Sequence, residues 1–126
     1  MFSLNRSNWA ILGTVAVFSL FLFFIFNSFS LGFVRGSSMY PVLKDGDFIF
    51  LKTGSVTIAS GDVIGYQPDQ FTSPIAHRVV MVYPGLNYVL VKGDNSATNP
   101  WIDPLPVFSS EVIGKVVCRF RLPFLT

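Results

Sequence analysis

Histidine occurs once in this chain, as His77 within Ile75-Ala76-His77-Arg78-Val79-Val80. A serine alcohol is a poor nucleophile and needs a base beside it. If the chain carries serine chemistry with an imidazole base, His77 is the one residue that can supply it. The serine best placed for that work is Ser38, in Gly36-Ser37-Ser38-Met39-Tyr40-Pro41. Small residues precede it, and Pro41 stiffens the chain just beyond. An imidazole base works best with a carboxylate that fixes its tautomer. Two aspartates offer one: Asp94 in Lys92-Gly93-Asp94-Asn95 and Asp103 in Trp101-Ile102-Asp103-Pro104. Each residue has a plainer reading. Ser38 suits a Gly-Ser turn, a lone histidine suits a satisfied core position, and Asp94 suits the cap of its own turn. Gly46-Asp47 and Gly61-Asp62 read as turns of the same form.

Other chemistries fit poorly. One histidine, one cysteine and scattered carboxylates give no close set of metal ligands. No glycine-rich loop runs into a helix bearing lysine, as phosphate binding would ask. No metal or cofactor is expected. The net charge is +2 and the basic residues are dispersed, so nucleic acid is not an expected partner. Cys118 cannot form an internal disulfide. It lies in the strand-like run Val116-Val117-Cys118 and is expected to be a small buried hydrophobe.

The elements that must position these residues fall into two parts. The 126 residues are 51% hydrophobic, and most of the excess lies before residue 35. Trp9–Phe26 holds no charge, and the apolar character continues to Val34. Eighteen or more such residues span a hydrocarbon core of roughly 30 Å. Arg6 precedes the run, Arg35 follows it, and Asn5, Asn8, Asn27 and Ser28 sit near its ends. A cleaved leader would have a shorter apolar stretch followed by a small-x-small site, whereas Phe29, Leu31 and Phe33 follow here. The expectation is a short tail over 1–7, a transmembrane anchor over 8–34 and a β-rich domain over 35–126. With one arginine on either side, charge hardly discriminates its orientation.

Beyond Arg35 the pattern changes to short β-prone runs: 47–51, 63–66, 76–83, 88–92 and 112–120. Val, Ile, Phe and Tyr fill them, and Gly, Pro, Asp and Asn fill the gaps. The expected fold class is mostly β, a small barrel or pair of packed sheets behind one N-terminal helix. The end, Arg119–Leu125, is too short to span a membrane. It reads either as a last strand with a tail or as an aromatic and basic segment for the interface.

In this order the blocks resemble signal peptidase I, the membrane-bound serine proteases that remove signal peptides. Those blocks are Ser38-Met39-Tyr40-Pro41 with Leu43, Gly46-Asp47, Gly61-Asp62-Val63-Ile64, His77-Arg78-Val79-Val80, Lys92-Gly93-Asp94-Asn95 and Val112-Ile113-Gly114-Lys115-Val116. The histidine at the place where most bacterial members carry lysine resembles the archaeal and endoplasmic-reticulum type. The resemblance implies Ser38 as nucleophile and His77 as general base. The orienting carboxylate is Asp103 or Asp94, with Asp103 slightly favoured. In some members a serine two places before the nucleophile assists the oxyanion. Here that place is Gly36, so backbone N–H groups, chiefly that of Ser38, would carry the charge, and Ser37 is a further candidate.

The implied function is signal-peptide removal by acyl transfer at the cell membrane, by a single-pass protein with its catalytic domain on the extracytoplasmic side. Implied partners are signal-peptide-bearing preproteins, membrane lipid and accessory membrane subunits. Two alternatives stand beside it: a specialised peptidase of the same fold with a dedicated substrate set, and a non-catalytic membrane-anchored β-domain subunit.

Overall fold

The computed structural model describes residues 5–123, so the expected tail before Asn5 and the residues Phe124 and Leu125 lie outside the described part. A single helix, α1 (Arg6–Ser28), opens the chain. The Asn5 side chain caps it by accepting from the Asn8 N–H at 3.0 Å. The helix is apolar on all sides and buries no residue against the rest of the protein. It is long and apolar enough to cross a membrane.

Of the residues 8–34 expected as an anchor, only those up to Ser28 are helical. Helix gives way at Ser28, and Phe29–Phe33 forms strand β1. The physical reason lies in Phe29-Ser30-Leu31-Gly32-Phe33. Its large apolar residues recur every second position, the period of a strand. The helix end is stitched to the sheet: the Thr53 N–H donates to Ser28 O at 2.9 Å, and the Thr53 hydroxyl to Asn27 O at 3.3 Å.

The remaining strands are β2 (Phe48–Lys52), β3 (Val63–Tyr66), β4 (Ile75–Tyr83), β5 (Tyr88–Lys92), β6 (Val107–Phe108) and β7 (Val112–Phe120). They form one antiparallel sheet in the order β1-β2-β7-β3-β4-β5-β6. The last strand in the chain thus lies near the middle, between β2 and β3. Register shifts at Phe50/Leu51, Gly65/Tyr66 and Val79/Met81 bend the strands and curl the sheet.

Curling gives two cores. One gathers Ile64, Tyr66, Val79, Val89, Val91 and Val107 from the β3–β6 half. The other gathers Met39, Leu43, Ile49 and Leu51 from the β1–β2 half. The opposite face of β1, β2 and β7 is uncovered: Leu31, Phe33, Phe50 and Phe120 are exposed there. Cys118 pairs with Phe50 on this face and is exposed, not buried as its apolar neighbours suggested. Alternation along β7 puts it on the side that no second layer covers.

Asp47, just before β2, is 1% exposed. Arg121 meets it with two hydrogen bonds of 2.7 and 2.8 Å, and the Lys44 N–H adds a third at 2.9 Å. Arg121 chiefly, against the opposing effect of burial, holds the Asp47 carboxyl below its ordinary value.

Candidate active site

Ser38 sits in the turn-rich segment between β1 and β2. That segment is held from both sides. Met39, 2% exposed, is buried in the second core together with Leu43, and its sulfur accepts from the Asp94 N–H at 3.4 Å. Fully burying such a side chain contributes about 1.5–3 kcal/mol, so the residue after Ser38 acts as an anchor. Gly36, at φ 87°, turns the chain ahead of it and donates its N–H to Asp45 Oδ1 at 2.7 Å. Such a φ suits glycine.

On the far side the Ser38 carbonyl meets the β5 exit. It accepts from the Asn95 N–H at 2.9 Å. A Cβ on Gly93 would lie 2.7 Å from that same carbonyl oxygen, so glycine there is a condition of the close approach. The Ser38 hydroxyl has no hydrogen-bond partner among the described residues, and none joins it to His77. The cleft beside Ser38 is reached from β4 by the neighbour of His77, not by His77 itself. Ser38 and Ala76, the residue before His77, line a cleft of about 570 Å³ together with Ile49, Leu51, Gly65 and Ile75.

His77 lies in β4, opposite Ile64 of β3, and is buried at 6% exposure. Its Nδ1 is 2.5 Å from Asp103 Oδ2. Among the described residues no group bonds to Nε2, yet no buried side-chain polar atom lacks a partner. Nε2 is therefore not fully sealed from solvent, although the residue is buried. An imidazole whose Nδ1–H is given to a carboxylate presents the Nε2 lone pair as a base.

Asp103 reaches the imidazole from an irregular stretch after β5. Its own N–H donates to Val91 O at 2.9 Å, which lays the stretch back along β5. A third group completes the arrangement. The Tyr66 hydroxyl donates to Asp103 Oδ2 at 3.2 Å and lies 3.4 Å from His77 Nδ1. Burial, and then the Asp103 charge, push the Tyr66 phenol far above its ordinary value, so it stays a donor throughout the working pH range.

The second candidate carboxylate is engaged elsewhere. Asp94 accepts from Arg78 Nε at 2.8 Å and Nη2 at 2.7 Å, while Arg78 Nη1 donates to Gly61 O at 2.7 Å. The structure thus brings Asp103 to His77 and holds Asp94 against the next residue along β4. Ser37 borders the Ser38 peptide and receives Asn95 Nδ2 on its carbonyl at 2.9 Å.

Sequence reasoning missed Tyr66 and Asn95. Tyr66 ends a short strand after a Gly-Asp turn, and nothing in its spacing marks it. Asn95 stands in the Gly-Asp-Asn turn, and an amide side chain in that turn is the one signal that points to it.

The arrangement backs an imidazole with a carboxylate, one residue along β4 from Ala76, which lines a cleft together with Ser38. No protein-family model matches the chain. Comparison with curated proteins finds relatives that share one name, signal peptidase complex catalytic subunit SEC11. The relative from Lachancea thermotolerans is 37% identical over 70 residues, 52% of this chain and 42% of that protein. That from Lodderomyces elongisporus is 32% identical over 103 residues, 73% and 58%. That from Yarrowia lipolytica is 33% identical over 106 residues, 77% and 62%. The matches span about half the length of these relatives.

Proposed function

We propose that the chain, which as a relative of the SEC11 catalytic subunits belongs to the signal peptidase I family, is a membrane-bound serine endopeptidase that removes signal peptides by Ser–His chemistry. The observation that carries this reading is the 2.5 Å contact between His77 Nδ1 and Asp103 Oδ2, with Nε2 not fully sealed from solvent.

In this reading Nε2 of His77 takes the proton of Ser38 as its oxygen attacks the scissile carbonyl. His77 then gives that proton to the leaving amine, and water attacks the acyl-enzyme with His77 again as base. Asp103 holds the imidazole tautomer and stabilises the imidazolium, while Asp94 fixes Arg78 and the exit of β5. The Ser38 N–H stabilises the oxyanion. Ile49, Leu51, Ile75 and Ala76 give the cleft an apolar wall suited to an extended peptide with small residues before the cut.

The same proposal places α1 across the cell membrane as a single span, with the sheet on the extracytoplasmic side. The uncovered face bearing Leu31, Phe33, Phe50 and Phe120 adjoins the end of α1 and suits contact with lipid. A substrate held in the same bilayer then meets Ser38 at high effective concentration. The relatives' name describes a complex, and accessory membrane subunits are proposed as partners on that ground.

The test is cleavage of a model preprotein by the purified chain in detergent. Wild type should release the mature N-terminus, while Ser38→Ala and His77→Ala should each lose about 10³-fold or more. Full activity in either variant rejects the reading. Inactivity of the wild type, with the fold intact, favours the non-catalytic subunit.

A further inference from the structure

The Asn95 side chain is held in one orientation by partners on both of its ends. Its Oδ1 accepts from the Ala97 N–H at 3.1 Å, so Nδ2 faces the other way and donates to Ser37 O at 2.9 Å. The Asn95 backbone N–H donates to Ser38 O at 2.9 Å. One residue therefore grips the two carbonyls on either side of the Ser38 Cα.

The Ser37 carbonyl and the Ser38 N–H belong to one planar trans peptide unit, and they point in opposite directions. Fixing the carbonyl on Asn95 fixes the N–H away from Asn95. A donor on the carbonyl oxygen also polarises the N–H of the same unit. Among the described residues the Ser38 N–H has no acceptor, so it is free for a ligand. The Tyr40 N–H shares Ser37 O at 3.1 Å, but it lies within the same turn and moves with it. Asn95 ties the peptide to the turn that follows β5.

We propose that Asn95 is the positioning residue of the oxyanion site: its amide, bound to Ser37 O, sets the plane of the Ser37–Ser38 peptide so that the Ser38 N–H stands ready for developing negative charge. This rests on the reading of Ser38 as nucleophile. In chains that carry Gly36 in place of a hydroxyl donor, the backbone N–H bears more of the charge, and the group that aims it matters more.

The experiment compares Asn95→Ala and Asn95→Asp with wild type and Ser38→Ala. It measures kcat and KM on a preprotein, inhibition by a peptide aldehyde that adds to the serine, and Tm. The backbone bond from Asn95 to Ser38 survives in both variants, so only the amide is probed. Asn95→Ala is expected to lower kcat about 10- to 100-fold with KM within about threefold, and to weaken the aldehyde in parallel with kcat, within the loss of one oxyanion donor. Asn95→Asp is expected to fall further, because a carboxylate oxygen then opposes Ser37 O. Unchanged kcat in Asn95→Ala, or a loss seen only in Tm or KM, overturns the proposal. A wild type no more active than Ser38→Ala overturns the underlying reading instead, and the two failures are told apart by that control.

Discussion

Arg78 and Asp94 are joined by two parallel hydrogen bonds, 2.8 Å from Nε and 2.7 Å from Nη2, immediately beside His77. This pair occupies the carboxylate that sequence spacing offered as an alternative partner for the imidazole. The two aspartates therefore separate in what their loss should do. Asp103→Asn should lower kcat by about 10³- to 10⁴-fold with little change in Tm, since the amide no longer selects the Nδ1–H tautomer. Asp94→Asn should cost about 1 kcal/mol of stability, limited by the partial exposure of Arg78, and retain most of kcat. Paired kinetics and thermal melts in detergent decide it. The reverse pattern would assign the orienting role to Asp94.

Tyr66 should act in smaller measure. Tyr66→Phe removes a hydrogen bond to Asp103 without opening a cavity. One such bond contributes about 1 kcal/mol, so kcat/KM should drop about fivefold. Steady-state assays at fixed pH suffice, and an unchanged value would show that Asp103 is held without it.

Acid stability should depend on Asp47. Its carboxyl is held below the ordinary 3.8, first by hydrogen bonds from Arg121. A depressed folded-state value means that the unfolded chain binds the proton more readily. The stabilisation is thus complete above about pH 4–5 and is lost as pH falls through 3.8 and below. Asp47→Asn should flatten the fall in Tm over that window. Arg121→Ala should lower Tm at neutral pH, because it leaves the buried Asp47 charge to the Lys44 N–H and to Arg119 at 3.9 Å. Melts from pH 7 to pH 2 test both.

Two glycines should respond differently to alanine. At Gly114 a Cβ would lie 2.6 Å from Lys52 O, a backbone atom that cannot swing aside. Gly114→Ala should destabilise by about 1–3 kcal/mol through strain where β7 crosses to β2. At Gly93 a Cβ would lie 2.7 Å from both Ser38 O and the Asn99 side chain, and of these the backbone oxygen is the one that cannot swing aside. Gly93→Ala should therefore lower kcat by a larger factor than its loss of stability explains, which kinetics at a temperature well below Tm will show.

Much of the sheet was legible because period-two runs of Val, Ile, Phe and Tyr stood between Gly and Asp turns. Strands β3, β5 and β7 fall where those runs fall. Strand β1 was hidden because Phe29–Phe33 continues an apolar run, and length alone cannot say where helix yields to strand. Strand β6 spans only Val107–Phe108 and is defined by its pairing with β5, which no local signal carries. Cys118 misled because apolar neighbours do not tell which face of a sheet is covered. At the site, residue types nominated Ser38, His77 and two aspartates. Which carboxylate faces the imidazole depends on the backbone bond from Asp103 to Val91 O, a tertiary fact invisible in spacing.

The position of β7 carries a consequence for the timing of biosynthesis. Ser38 emerges with the β1–β2 half of the sheet, and His77 with the β3–β6 half. Among the described residues those halves of the sheet are joined only through β7, which follows all the other strands in sequence. Pairing across so long a separation in sequence is slow and cannot start before that strand leaves the ribosome. On the proposed reading, α1 is already in the bilayer among uncut precursors while nucleophile and base still lack a common frame. On that reading the two come into register only once β7 has paired on both of its sides.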